Sequence, residues 1–154
     1  LWHLLQQDGF VVDFTGTRSG VASGPPLYSD FDPHHQAISG MFTDQALIHI
    51  QAWIAGGPPE VALIHLGTND CLAGQSAAST IAELGQLIDL MRAVKPDMAF
   101  LVAQILPHRL SQGVPPAELN ALIPALVAAK DQPGSPVLAV DQFTGFSPAE
   151  HLRD

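Results

Sequence analysis

Residues 61–71 read VALIHLGTNDC, an apolar run that delivers Gly67, Thr68, Asn69 and Asp70 to one point without a spacer. Glycine lets a backbone turn sharply beside a ligand, and a short amide such as Asn69 can donate a hydrogen bond to developing negative charge. Those are the parts of an oxyanion hole. The same four residues also suit an ordinary turn, since each is a turn or cap residue, so the tetrapeptide alone leaves both readings open. The other chemistry-bearing residues are more dispersed. Cys71, the only cysteine, reads as a small half-buried apolar residue rather than a reactive thiol. His34 and His35 beside Asp30 and Asp32 have loop-like spacing and read as surface residues, not as a metal cluster. His65 inside the apolar run reads as a core histidine, whereas His108, just past the apolar segment ending at Leu106, is placed to line a cleft. Ser19 in GTRSG has the glycines of a nucleophile elbow without the strand and helix that build one, and Ser76 and Ser79 suit helix capping. No cofactor and no metal are expected from these residues.

The composition narrows the partners. Hydrophobic residues at 47% against charged ones at 14% describe a compact chain, because disordered chains are polar and highly charged. Fifteen acids against six bases give a net charge of −9 with no basic cluster, which argues against nucleic acid and anionic membrane surfaces. No run reaches the roughly 18 apolar residues of a membrane span. One cysteine excludes an internal disulfide and leaves the redox compartment open.

The pattern along the chain then says what could position the motif. Trp2, Leu4 and Leu5 predict a helix stopped at Asp8-Gly9, and Phe10 to Phe14 predicts a strand ended by Thr15-Gly16-Thr17. Residues 18–39 are rich in Gly, Pro, Ser and Asp, a long loop of a kind that is often functional. Thr43 is expected to cap a helix from about Asp44 to Ile54. Val61 to Leu66, Met98 to Leu106 and Val137 to Val140 read as strands apolar on both faces. A helix is predicted over Ala77 to Val94, and another from Pro115 through Val127 with a kink at Pro124. Alternating helices and apolar strands imply an α/β fold, a doubly wound, flavodoxin-like three-layer sandwich with a parallel sheet, in a single domain over residues 1–154.

Read in order, these segments resemble the SGNH or GDSL hydrolases. LIHLGTND resembles their third block, in which Gly-x-Asn-Asp follows a parallel strand and the Asn helps hold the oxyanion. LLQQDGFVVDFTGTRSG is similar to the segment after the nucleophile block, most closely in acetyl xylan esterases of carbohydrate esterase family three. HHQAISGMFTDQ resembles the second block, His-Glu-Gly-His-Ser-Gly-Trp in the closer relatives, which makes His35 its first His, Ser39 and Gly40 its Ser-Gly, and the Gly40 N–H an oxyanion donor. PAEHLRD resembles the approach to the last block, Asp-x-x-His, which makes Asp154 the acid of a triad.

What the resemblance implies is a metal-independent serine esterase that removes acyl groups, such as acetyl, from carbohydrate, and it suggests an extracellular location. Asp154 would be its triad acid, Gly40 and Asn69 its oxyanion hole, and His35, Ser39, Asp70 and His108 its substrate-side residues, with Asp70 also able to brace the Asn69 turn. The chain departs from the pattern at Ala37, Ile38 and Met41, where the family carries Gly, His and Trp. Those departures support an alternative, a non-catalytic carbohydrate-binding module on the same fold; a lipase or thioesterase is a further one. The nucleophile block would precede Leu1 and the catalytic His would follow Asp154, so a fragment cut at both ends and lacking the first strand is expected.

Overall fold

The structure is a computed structural model that describes residues 1–21, 24–107 and 113–151. It divides into two compact units, residues 1–39 and residues 40–154.

In the first unit, α1 (Trp2–Gln7) stops where expected, and Gly9 follows at φ 81. The strand expected at Phe10 to Phe14 is absent. A strand persists only as half of a ladder, and no described segment pairs with these residues. The Phe14 N–H instead donates to Asp32 Oδ2 at 2.7 Å, and the Phe14 ring packs on Trp2 and Phe31 at centroid distances of 5.4 and 6.4 Å. The long loop is partly ordered by β1 (Arg18–Ser19) pairing antiparallel with β2 (His34–His35). Gly16 permits this approach, because a Cβ there would lie 2.1 Å from the His35 carbonyl. Asp32 is a structural residue here: it accepts from the His34 N–H, the His34 ring and the Phe14 N–H, and these bonds, the His34 N–H foremost, hold its carboxyl down at about 2.

The second unit is built on three parallel strands, β3 (Val61–Ile64), β4 (Ala99–Ala103) and β5 (Val137–Val140), in the order β3-β4-β5. Register pairs Ala62 with Phe100 with Val137, and Ile64 with Val102. Parallel neighbours need crossovers, and the chain supplies α4 (Ala77–Val94) before β4 and α6 (Ile123–Lys130) before β5. With α2 (Thr43–Ile54), these helices bury Ile50, Ile54, Leu84, Ile88, Met91, Ile123 and Leu126 against Ala62, Ile64, Phe100 and Val102. Each such buried side chain contributes roughly 1.5–3 kcal/mol. Ser76 caps α4, its Oγ accepting from the Ser79 N–H at 3.1 Å.

Two expectations are corrected in this unit. The strands are not buried on both faces: the pleat turns Val61, Leu63 and Leu138 away from the helix-covered face, and they remain 48, 55 and 56% exposed. The kink at Pro124 is a full break, giving α5 (Pro116–Asn120) and then α6, with Pro124 in the first turn of α6, where its missing N–H costs nothing. The sequence pattern also missed α7 (Pro148–His151), a single turn without buried residues.

The break in the helix gives Asn120 a task. Its side-chain amide grips both backbone groups of Ile105, accepting from the N–H at 2.8 Å and donating to the C=O at 2.9 Å, just beyond the carboxyl end of β4. Asn120 is 3% exposed and Ile105 fully buried, so no water can take over these bonds. Asn120→Ala is expected to lower unfolding free energy by about 2–4 kcal/mol, measured by urea denaturation with unchanged slope, because it orphans two buried backbone groups.

Candidate functional site

The carboxyl end of β3 runs through His65 and Leu66 into Gly67, and α3 (Thr68–Leu72) starts at once. Gly67 makes this possible. Its φ of 116 is left-handed, and a Cβ there would lie 2.6 Å from Leu119 Cδ2 and 3.3 Å from Thr80 Cγ2. Gly67→Ala is therefore expected to cost about 2–4 kcal/mol, from backbone strain and overpacking together, seen as a lower thermal midpoint. His65, expected in the core, is exposed instead, because it lies one residue beyond β3 on the side turned from the helices.

Beyond the turn, Asn69 is half-buried and its Nδ2 donates to the Met41 carbonyl at 2.9 Å. That bond joins segments 28 residues apart and sets the amide of Asn69 beside the residue that follows Gly40. An amide nitrogen carries two hydrogens, so one N–H of Asn69 remains to donate elsewhere. Gly40 is exposed at φ 76, and among the described residues its N–H makes no hydrogen bond. One N–H of Asn69 and the N–H of Gly40 are thus unengaged among the described residues, on segments joined by the Asn69–Met41 bond.

Asp70 follows Asn69 in the turn. It is 0% exposed, and its Oδ1 accepts from the Thr43 N–H at 2.9 Å and the Thr43 hydroxyl at 2.5 Å. Enclosed in this way, Asp70 has no face for a ligand. Its bonds to Thr43 tie the turn after β3 to the start of α2. Thr43 departs from its expected part for the same reason. Phe42 occupies the N-cap position, with Gln45 Oε1 accepting its N–H at 3.2 Å, while Thr43 points its hydroxyl inward to Asp70 and Glu83. One of the N–H groups that every helix start leaves unpaired is in this way satisfied by a carboxylate from another element.

His35 and Ser39 belong to the first unit, where His35 Nδ1 accepts from the Ala37 N–H at 3.1 Å and Ser39 is exposed in a turn. His108 and Asp154 lie outside the described residues. Cys71 is 0% exposed, and burial, then the carboxylates of Asp70 and Glu118, push its thiol up. In the folded protein an alkylating reagent is expected to leave Cys71 unmodified and to label it once urea unfolds the chain; rapid native labelling would contradict that burial. A groove of about 430 Å³ between α4 and α6, floored by Gly85 and flanked by Leu122 and Leu126, includes neither Gly40 nor Asn69. Sequence reasoning missed Thr43 as part of the site's support, and Glu83 altogether. The only signal was a polar residue at a helix start and another on an otherwise buried helix face.

With this geometry in view, comparisons with known proteins place the chain. It belongs to the GDSL-like lipase/acylhydrolase family, which it matches over residues 12–152. Its structure is similar to that of a serine-to-alanine mutant of an acetyl esterase solved with an acetate ion, at 28% identity and a TM-score of 0.91, covering 99% of this chain and 76% of that one. A carbohydrate esterase family 3 protein from Talaromyces cellulolyticus gives the same values. A family 3 carbohydrate esterase from Clostridium thermocellum matches at 30% identity and a TM-score of 0.75, with coverage of 91% and 64%. No curated protein sequence matches the chain. The GDSL/SGNH-like fold and the relationship to carbohydrate esterase family 3 are therefore established. Among the described residues no helix is long and apolar enough to cross a membrane.

Proposed function

We propose that the protein is a serine esterase of the SGNH type that hydrolyses acyl esters, acetyl foremost, on carbohydrate. The observation that carries this reading is the hydrogen bond from Asn69 to the Met41 carbonyl, which brings a side-chain amide to the residue that follows Gly40, whose own N–H is unengaged among the described residues. Support for the substrate comes from the similar structures, one of an acetyl esterase and two of carbohydrate esterases.

The chemistry follows from acyl transfer. A serine hydroxyl attacks the ester carbonyl, a histidine takes its proton, and Asp154 holds that histidine in the correct tautomer. The tetrahedral intermediate then places its oxyanion against the Gly40 N–H, the free N–H of Asn69 and the serine's own N–H. On this reading the serine and histidine belong to the family's first and last blocks, and His35, Ser39 and His108 face the substrate. The serine-bearing strand joins the sheet at the outer edge of β3. β3 is an edge strand among the described residues, which leaves one side of its backbone open to pair with a neighbour. An extracellular location fits a polysaccharide substrate.

In the full-length protein, Asn69→Ala is expected to reduce kcat on acetylated xylan by about 10²–10³, because one oxyanion donor is lost. The thermal midpoint should stay within a few degrees, since Asn69 makes one side-chain bond at the rim. Wild-type turnover in the variant would remove Asn69 from the mechanism. Preference for long-chain acyl esters over acetylated xylan would point to a lipase instead, and no hydrolysis of any ester by the full-length protein would leave the binding-module reading.

A further inference from the structure

We infer that Thr43 and Glu83 are positioning residues for the oxyanion hole, acting through Asp70 to fix the side-chain amide of Asn69. The inference rests on the esterase reading and extends it to Thr43 at the start of α2 and Glu83 on α4.

The argument starts from a closed ring of bonds. Asn69 and Asp70 are adjacent, and their side chains grip two points of one short segment: Asn69 Nδ2 donates to the Met41 C=O at 2.9 Å, and Asp70 Oδ1 accepts the Thr43 N–H at 2.9 Å. A single bond would let the turn pivot about it. Two bonds from successive residues to backbone groups two residues apart hold the turn and the start of α2 in one register. The direction of the free Asn69 N–H is set by that register, because rotating the amide breaks its bond to Met41.

The ring stands on a second layer. The Thr43 hydroxyl, 1% exposed, has one hydrogen to donate and faces two carboxyl oxygens, Asp70 Oδ1 at 2.5 Å and Glu83 Oε2, so it serves one of them at a time. Glu83 is held in turn by Gln75 Nε2 at 2.8 Å and by the Ser79 hydroxyl at 3.4 Å. A path of polar contacts therefore runs from α4, through the hydroxyl at the start of α2, to the residue next to Asn69. Buried polar networks of this kind rigidify a site when they are satisfied and loosen it when one member is lost. Asp70 Oδ2 is buried without a partner, which leaves Asp70 wholly dependent on its Oδ1 bonds to Thr43.

The test is a double-mutant cycle in the full-length enzyme on acetylated xylan. Thr43→Val keeps the side chain's shape and removes the hydroxyl; it is expected to lower kcat by about 10–100-fold with KM within about 3-fold, as for an interaction made in the transition state. Thr43→Ser restores the hydroxyl and should recover kcat to within about 3-fold. Glu83→Ala, at the half-buried outer end of the path, should cost kcat about 3–10-fold and keeps the test decisive if Thr43→Val fails to fold. In an Asn69→Ala background neither substitution should lower kcat by more than about 2-fold, since Asn69 is the group they position. If the losses multiply instead, or if Thr43→Ser fails to rescue, the positioning role is overturned while the oxyanion reading stands. If Asn69→Ala alone leaves kcat unchanged, the oxyanion reading falls and the inference falls with it.

Discussion

A carboxylate with no exposure to water must find its partners inside the protein, and Asp70 finds them at one residue, Thr43. Leaving such a group unpaired would cost several kcal/mol, so the backbone entering α2 is held to the turn leaving β3. The rest of the site follows from that constraint. Met41 sits two residues before Thr43 and Asn69 one residue before Asp70, so fixing one pair brings the other to 2.9 Å. Gly40, next in line, is exposed, and its N–H is unengaged among the described residues. The chemistry proposed for Gly40 and Asn69 therefore depends on a bond that neither of them makes.

The sheet supplies the platform. Three parallel strands covered on one face by α2, α4 and α6 give a rigid core, and the carboxyl end of β3 opens directly into the turn. Gly67 lets that turn close against Leu119 and Thr80, while Asn120 fixes the chain leaving β4 by its grip on Ile105. Helix packing sets the position of the strand ends, and the side-chain bonds set the final direction of the donors. The face carrying Val61, Leu63 and Leu138 takes no part in this work.

Sequence periodicity revealed the elements that are stabilised locally. Ala77 to Val94 was legible end to end, because a 3.6-residue pattern, a Ser76 cap and a Lys95-Pro96 stop all agree. Phe10 to Phe14 carries an equally good strand pattern and forms none, because pairing depends on a partner that composition cannot reveal. The site divides in the same way. Gly67, Asn69 and Gly40 were visible through their motifs, whereas the inward turn of Thr43 and the part played by Glu83 were not. Both depend on residues distant in sequence, and a threonine at a helix start reads as a cap until the helix is seen against Asp70.

The central claim, that Gly40 and Asn69 hold an oxyanion, can be observed without kinetics. A crystal structure of the full-length protein carrying a phosphonate adduct on its serine would show where the tetrahedral oxygen goes. The account predicts that oxygen within about 2.7–3.1 Å of both Asn69 Nδ2 and the Gly40 nitrogen, with the Asn69 bond to Met41 kept. An adduct whose oxygen faces other donors, with Asn69 unengaged, would contradict it.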